Sequence, residues 1–159
     1  LAAALAGALG GFLAWNFPGK LFAGDAGALF AGAVIGGLCL DLVRLRPDLL
    51  FVPPILAMPF LSDVLLTLAW RARHGKKLFE AHRDHAYQIA IKAGLKHWQV
   101  AAIHAVWAVN AAGIAIVAAA VGGQVPLLAF IVLLLVSTWL HIWVRRIGVK
   151  GGYVGADIA

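Results

Sequence analysis

Five apolar runs are the feature that most restricts the fold of this chain. A helix needs about 20 predominantly apolar residues to cross the hydrocarbon core of a bilayer. Hydrophobic residues make up 63% of the sequence and charged residues 13%, with a mean hydropathy of +0.92, whereas soluble globular domains average roughly 45–50% apolar residues. We therefore expect an all-α, polytopic membrane protein of about five transmembrane helices, with spans at 1–14, 26–43, 49–69, 98–121 and 125–144.

Lysine and arginine are distributed unevenly among the segments that connect these runs. Eleven of the 13 fall in segments 15–25 and 70–97 or after residue 144, and only Arg44 and Arg46 fall between the second and third spans. Because cytoplasmic loops carry an excess of Lys and Arg, we expect both segments and the C-terminus to be cytoplasmic. The net charge of +6 then indicates membrane topology rather than nucleic-acid binding. We expect contact with membrane lipid and no nucleic-acid partner.

Segment 15–25 combines polar side chains with glycine. Asn16, Lys20 and Asp25 lie within the stretch NFPGKLFAGDAGALFAG, and glycines at 19, 24 and 27 would let backbone N–H groups approach an anion closely. A carboxylate can hold Mg²⁺ through oxygen, while cationic side chains neutralise phosphate oxygens. Asp25 has an alternative interpretation as the N-cap of the apolar helix that follows it.

Segment 76–88, KKLFEAHRDHAYQ, carries the second group of candidate residues: His82, Arg83, His85 and Gln88. A helix over 78–92 would place both histidines on one face, because they are three residues apart. The two polar segments together suit a phosphorylated anionic substrate at the membrane surface. The alternatives are a solvated amphipathic surface and, for the basic stretch 71–77, contact with anionic lipid head groups.

Among the polar residues inside the predicted spans, we single out Asp63, His104 and Asn110. Ionisable groups at such positions usually face a bundle interior or an aqueous cavity. We expect Asp63 to reach the site or to stabilise a helix contact. For His104 and Asn110 we expect hydrogen bonds between helices, with Asn110 in a supporting role. His141 is assigned no role.

The polar segments also carry a recognisable signature. The stretch NFPGKLFAGDAGALFAG resembles the motif N-x-P-x-[KR]-x-F-x-GD-x-G-S-x-x-x-G of the polyprenyl-phosphate N-acetylhexosamine-1-phosphate transferases. This is glycosyltransferase family 4, which also contains the phospho-N-acetylmuramoyl-pentapeptide transferases. The stretch PFLSDVLLTLAWRARHGKKLFEAHRDHAYQ resembles the next block of the family, and Asn110 is similar to a following Asn in the branch that initiates O-antigen and capsule synthesis.

The resemblance implies a reaction and roles for individual residues. Asp25 matches the essential aspartate that binds Mg²⁺, with Mn²⁺ as an alternative ion. A polyprenyl phosphate such as undecaprenyl phosphate would attack the β-phosphorus of a UDP-N-acetylhexosamine and release UMP, at the cytoplasmic face of the bacterial inner membrane. A homodimer is compatible with the small-residue helices. The residues implied in substrate binding are Asn16, Lys20, Gly24, Gly27, His82, Arg83, His85 and Gln88.

Two substitutions and one absence qualify these expectations. Ala28 replaces the usual Ser after G-D-x-G, which removes a hydroxyl group, and Ala23 replaces the usual Met before G-D. The acidic pair and the Asn/Asp-rich loop of the family belong to an N-terminal half that residues 1–159 lack. We therefore expect the C-terminal part of one integral-membrane transferase domain, inactive alone. The competing interpretations are a transporter and a non-enzymatic binding subunit with an anion-binding cytoplasmic face.

Overall fold

The computed structural model describes residues 1–78, 80 and 83–152. All regular structure in these ranges is helical, which confirms the all-α expectation. A 3₁₀ turn at Pro47–Leu49 separates the second helix from the third. The helices are α1 (Ala2–Asn16), α2 (Gly24–Leu45), α3 (Val52–Arg73), α4 (Ala86–Lys92), α5 (His97–Val121) and α6 (Val125–Lys150).

Four of these helices are long and apolar enough to cross a membrane: α2, α3 together with its preceding turn, α5 and α6. α1 is a shorter apolar helix of 15 residues. The chain is thus a polytopic membrane protein, as the apolar runs predict. The limits of the five membrane spans stay a prediction. α6 continues to Lys150, beyond the expected end of the fifth span at residue 144. That extension keeps Arg145 and Arg146 inside the helix.

The chain forms two compact units, Leu1–Asp48 and Leu49–Ala159. The first unit contains α1 and α2, joined by segment 17–23. Neither helix has a buried residue within the described part of the chain. This unit carries Asn16, Lys20 and Asp25.

The second unit is built around α3, which packs against both α5 and α6, while the short α4 also contacts these three helices. Its core includes Ile55 and Met58 of α3, Ile89 of α4 and Leu133 of α6. On α5 the buried side chains are Val100 and three small ones, the alanines Ala111, Ala115 and Ala118. Their spacing places them on one helix face, where small side chains let neighbouring helices approach closely.

Candidate functional site

Hydrogen bonds within segment 15–25 hold the connection between α1 and α2 in a turn. The Asn16 side-chain amide at the end of α1 donates to the Leu21 carbonyl at 2.9 Å. The backbone N–H of Lys20 donates to the Trp15 carbonyl at 3.1 Å. These bonds form a compact turn between α1 and α2, and the Lys20 side chain extends from it into an exposed position.

Asp25 lies in the first turn of α2 but is not its N-cap, so the capping interpretation is wrong. The helix begins at Gly24, the cap position is Ala23, and no side chain caps the helix. The physical reason is the backbone at Gly24, whose φ of +59° turns the chain sharply into the helix and leaves Asp25 inside it. Gly27 follows in the same turn and donates its N–H to the Ala23 carbonyl at 3.1 Å.

The Asp25 carboxylate is exposed, and no described residue hydrogen-bonds to it or pairs with it. No group of three or more potential metal-binding side chains occurs within residues 1–78, 80 and 83–152. Mg²⁺ is commonly held by one or two carboxylates together with substrate phosphates, so a single unpaired carboxylate fits that ion. The first-turn amides beside it have no acceptor within the helix, an arrangement that favours phosphate oxygens.

In the second unit, the expected helix over 78–92 is wrong in the described residues. α4 begins only at Ala86, and His85 before it has an extended backbone (φ −66°, ψ 146°). His85 donates its N–H to the Gln88 side chain at 3.3 Å, and this cap starts the helix after the histidine rather than before it. His82 lies outside the described residues, so the expected pairing of the two histidines stays a prediction.

Other residues of this segment make local contacts. Arg83 is exposed, and its carbonyl accepts a hydrogen bond from Lys92 Nζ at 3.4 Å. Glu80 forms an exposed ion pair with Lys77 at 2.7 Å. The Arg83 guanidinium therefore has a solvent-facing position from which it can meet an anionic substrate.

Asp63 connects α3 to this segment. Its Oδ1 accepts the backbone N–H of Ala86 at 2.8 Å and lies 3.3 Å from the Thr67 hydroxyl. Nδ1 of His85 is 3.6 Å from Oδ2, and Nδ1 of His141 is 3.4 Å from Oδ1. The structure thus brings together Asp63 and His85, two of the residues that the sequence singled out, at a largely buried position in the second unit.

Two arginines complete this cluster, and the sequence did not identify either as a site residue. Arg71 is buried and ion-pairs with Asp84, so this residue of the basic stretch does not face lipid head groups. Arg145, on α6, donates to His141 Nε2 at 2.8 Å and to the Asp84 carbonyl at 2.6 Å. His141 lies inside the expected fifth span, but no local pattern marks Arg71 or Arg145, whose partners lie on other segments of the chain.

The two remaining intramembrane residues do not form the expected hydrogen bonds between helices. The Asn110 side chain is exposed and donates to the Val106 carbonyl, 2.8 Å away on its own helix. His104 likewise bonds to the Val100 carbonyl at 2.9 Å, while its ring stacks on Phe60 of α3 at a centroid distance of 6.2 Å. A carbonyl four residues back is the nearest acceptor for such side chains, which explains the correction.

A cavity of about 800 Å³ lies among α3, α4, α5 and α6. Most of its wall is apolar and aromatic, with contributions from Tyr87, Trp107 and Trp143. Asp63, Ser137 and His141 add polar groups to the wall. The Asp63 cluster therefore borders a space that can take an apolar group next to hydrogen-bonding side chains.

Comparison with known proteins gives a family-model match and a set of similar curated proteins. Residues 1–43 match the family model described as glycosyl transferase family 4. The chain is similar to phospho-N-acetylmuramoyl-pentapeptide-transferases: 36% identical over 89 residues to that of Chlamydia trachomatis, 35% over 101 residues to that of Kocuria rhizophila, and 42% over 83 residues to that of Mycobacteroides abscessus. No solved structure gives a significant match.

These matches cover 55%, 62% and 50% of this chain but only 26%, 25% and 22% of the respective relatives. The chain thus matches about a quarter of the length of these curated relatives. The family model covers the segment that contains Asn16, Lys20 and Asp25.

Proposed function

Because this chain is related to glycosyl transferase family 4, we propose that the complete protein transfers N-acetylhexosamine 1-phosphate from a UDP-sugar to a polyprenyl phosphate. UMP is the second product, and the lipid-linked sugar initiates the synthesis of a cell-surface glycan. The reaction depends on Mg²⁺, which Mn²⁺ can replace. It takes place at the cytoplasmic face of the bacterial inner membrane.

The observation that carries this proposal is the position of Asp25. Its carboxylate is exposed, lacks a partner among the described residues, and lies beside the free amides of the first turn of α2. It also falls within residues 1–43, the range that matches the family model. An unpaired carboxylate next to backbone N–H donors is suited to a metal-bound diphosphate, because the carboxylate takes the cation and the amides take phosphate oxygens.

The proposed reaction forms one phosphorus–oxygen bond and breaks another. A phosphate oxygen of the lipid attacks the β-phosphorus of the UDP-sugar, and the bond between that phosphorus and the bridging oxygen breaks. UMP leaves with the bridging oxygen, and the sugar phosphate becomes part of a lipid diphosphate. Asp25 would hold Mg²⁺, and the ion would neutralise charge at the diphosphate. Such transfer depends mainly on positioning and electrostatic stabilisation.

Residues of this chain supply the other interactions in the proposal. Lys20 and Arg83 have exposed cationic side chains that neutralise phosphate oxygens. Gly24 and Gly27 bring the backbone close to the diphosphate, and Asn16 keeps the turn before them closed. His82, His85 and Gln88 hold the nucleotide. Asp63 supports His85, and Asn110 retains the supporting role expected from the resemblance.

The lipid substrate is supported by the membrane-spanning helices and by the cavity among α3, α4, α5 and α6, whose apolar wall suits a hydrocarbon group. A homodimer is part of the proposal, because the small-residue content of α2 permits close packing of two copies.

The proposed function is tested by measuring UMP release from the complete protein in membranes. The assay pairs undecaprenyl phosphate with UDP-N-acetylglucosamine, UDP-N-acetylgalactosamine or UDP-N-acetylmuramoyl-pentapeptide, each with and without Mg²⁺. We expect UMP only when lipid, metal and one of the N-acetylhexosamine donors are all present. If UMP were released with UDP-N-acetylmuramoyl-pentapeptide but with neither of the other two UDP-sugars, the proposed donor class would be contradicted. Absence of UMP with every donor would favour a transporter or a binding subunit.

A further inference from the structure

His141 and Arg145 are two buried polar residues on α6 to which the proposed reaction assigns no role. Their exposed fractions are 7% and 6%. Burying a guanidinium away from water is costly unless its N–H groups find acceptors. Nε and Nη2 of Arg145 have three such acceptors, on α6, on α3 and in the segment before α4, whereas Nη1 has none among the described residues. The guanidinium also lies over the Trp70 ring, 4.3 Å from the centroid.

The contact between Arg145 and His141 fixes the protonation of the imidazole. Arg145 Nε is 2.8 Å from His141 Nε2, and a guanidinium can only donate hydrogen bonds. Nε2 therefore accepts, and the single proton of the neutral ring is on Nδ1. That nitrogen lies 3.4 Å from Asp63 Oδ1, a charge–dipole contact without the geometry of a hydrogen bond.

The contacts from Arg145 through His141 to Asp63 are one path between these two charged groups. A second path leads from Arg145 to Asp63 through Thr67. Another nitrogen of the guanidinium lies 3.3 Å from the Thr67 hydroxyl, and this hydroxyl is 3.3 Å from Asp63 Oδ1. Thr67 is completely buried. Because its oxygen accepts from Arg145, its proton is free to point at the carboxylate. The Thr67 path thus begins at a group that only donates and ends at a group that only accepts, while the His141 path ends in a contact with the same carboxylate oxygen.

The same two charged groups hold the backbone on both sides of His85. Arg145 donates to the carbonyl of Asp84 at 2.6 Å, and Asp63 accepts the N–H of Ala86 at 2.8 Å. The main chain is therefore attached to α6 just before His85 and to α3 just after it. The location of the imidazole depends on both attachments.

We propose that His141 and Arg145 are positioning residues for His85. Arg145 selects the Nδ1–H form of His141, the Nδ1–H and the Thr67 hydroxyl orient the Asp63 carboxylate, and the carboxylate together with Arg145 sets the position of segment 84–86. The effect on catalysis rests on the proposed function, in which His85 holds the nucleotide. The protonation of His141 does not depend on that function.

The first test is nitrogen NMR of the complete protein labelled with ¹⁵N-histidine, in detergent micelles near neutral pH. The His141 signals are assigned as those lost in His141→Gln. We expect a neutral ring with a protonated Nδ1, and a shift towards the Nε2–H form in Arg145→Gln. Arg146→Gln is the matched control, because Arg146 is the exposed neighbour on the same helix, and it should leave the His141 signals unchanged. A ring protonated on Nε2 in the unaltered protein would overturn the proposal.

The second test separates positioning from overall stability through enzyme kinetics. We expect Arg145→Gln to raise KM for the UDP-sugar about tenfold, because a displaced loop weakens nucleotide binding, while kcat changes less. Arg146→Gln should leave both constants within about twofold of the original values. Equal kinetic constants in the two variants would overturn the positioning role.

Two substitutions of His141 test the direction of the network. The side-chain amide of Asn can place an N–H at the position of His141 Nδ1–H, so His141→Asn keeps the donor towards Asp63. The side chain of Gln can place its oxygen near the position of Nε2, so His141→Gln keeps only the acceptor for Arg145. We expect His141→Asn to retain a lower KM than His141→Gln. The reverse order would contradict the proposed role of the Nδ1–H group. If the protein released no UMP under any condition, the proposed function and the kinetic role would fail together, while the NMR result would still decide the protonation of His141.

Discussion

Arg71, near the end of α3, and Asp84, 13 positions later in the chain, form an ion pair that is nearly shielded from solvent, with side-chain exposures of 6% and 13%. The same guanidinium also donates to the Lys77 carbonyl. The pair therefore fastens the polar segment between α3 and α4 to the helix bundle. Removing one partner of such a pair leaves the other charge buried without compensation.

This ion pair predicts that substitutions of two neighbouring arginines change the free energy of unfolding by very different amounts. We expect Arg71→Gln to lower the free energy of unfolding by about 3 kcal/mol, whereas Arg73→Gln, exposed two residues later, changes it by less than about 0.5 kcal/mol. Denaturant unfolding of the complete protein in mixed micelles measures both values. Equal losses in Arg71→Gln and Arg73→Gln would contradict the structural role of the pair. The role would also be contradicted if the Arg71→Gln/Asp84→Asn double variant lost as much unfolding free energy as the two single variants together.

The backbone at Gly24 predicts opposite effects for two glycine substitutions in α2. Gly24 has a φ of +59°, and nothing lies within 4 Å of an added Cβ, so the cost of Gly24→Ala comes from the backbone alone. We expect a loss of about 1–2 kcal/mol. Gly32 is also open to an added Cβ but has ordinary helical geometry, so Gly32→Ala should stabilise the helix by about 0.5–1 kcal/mol. The same unfolding measurement checks both, and changes of the same sign would contradict the assigned start of α2.

The helices of this fold could be predicted because the property that defines them is local. A run of apolar residues of membrane-spanning length is visible without knowledge of any other part of the chain. The start of α4 could not be predicted in this way. Its first N–H is accepted by Asp63, 23 positions earlier, and this contact, with the Gln88 cap, keeps His85 outside the helix that its local sequence suggested.

The attachment of Ala86 to Asp63 predicts a change in amide exchange. Hydrogen bonds to charged groups contribute about 1.5–3 kcal/mol, and about 1.4 kcal/mol corresponds to a factor of ten. We therefore expect the Ala86 amide to exchange at least about tenfold faster in Asp63→Ala. Asp41→Ala, which removes an exposed carboxylate from α2, is the control and should not alter this rate. An Ala86 amide equally protected in Asp63→Ala would contradict the contact.

Some residues of the candidate site could be found from sequence and others could not. Asp25 stands out by its motif, and residues 1–43, which carry that motif, match the model of glycosyl transferase family 4. Its role in the site stays a prediction. Arg145 was counted among the charges of a cytoplasmic tail, because the apolar run ends at residue 144. Its role depends on contacts with Thr67 and Asp84, 78 and 61 positions away, which no local pattern reveals.

Metal removal gives a further prediction for the proposed function. We expect EDTA to abolish UMP release by the complete protein and added Mg²⁺ to restore it, because the diphosphate oxygens need a cation to neutralise their charge. Mn²⁺ should restore part of the rate. UMP release that continues in EDTA-treated membranes would contradict the proposed metal dependence.

The most direct measurement is the amount of lipid-linked sugar that the complete protein forms when Asp25 is changed. Asp25→Asn keeps the size of the side chain but removes its charge, and Asp41→Asn makes the same change at a second exposed carboxylate of α2. We expect at least about a 100-fold loss of product with Asp25→Asn and near-normal product with Asp41→Asn. Product formation by Asp25→Asn equal to that of the unaltered protein would contradict the assignment of Asp25 to the reaction.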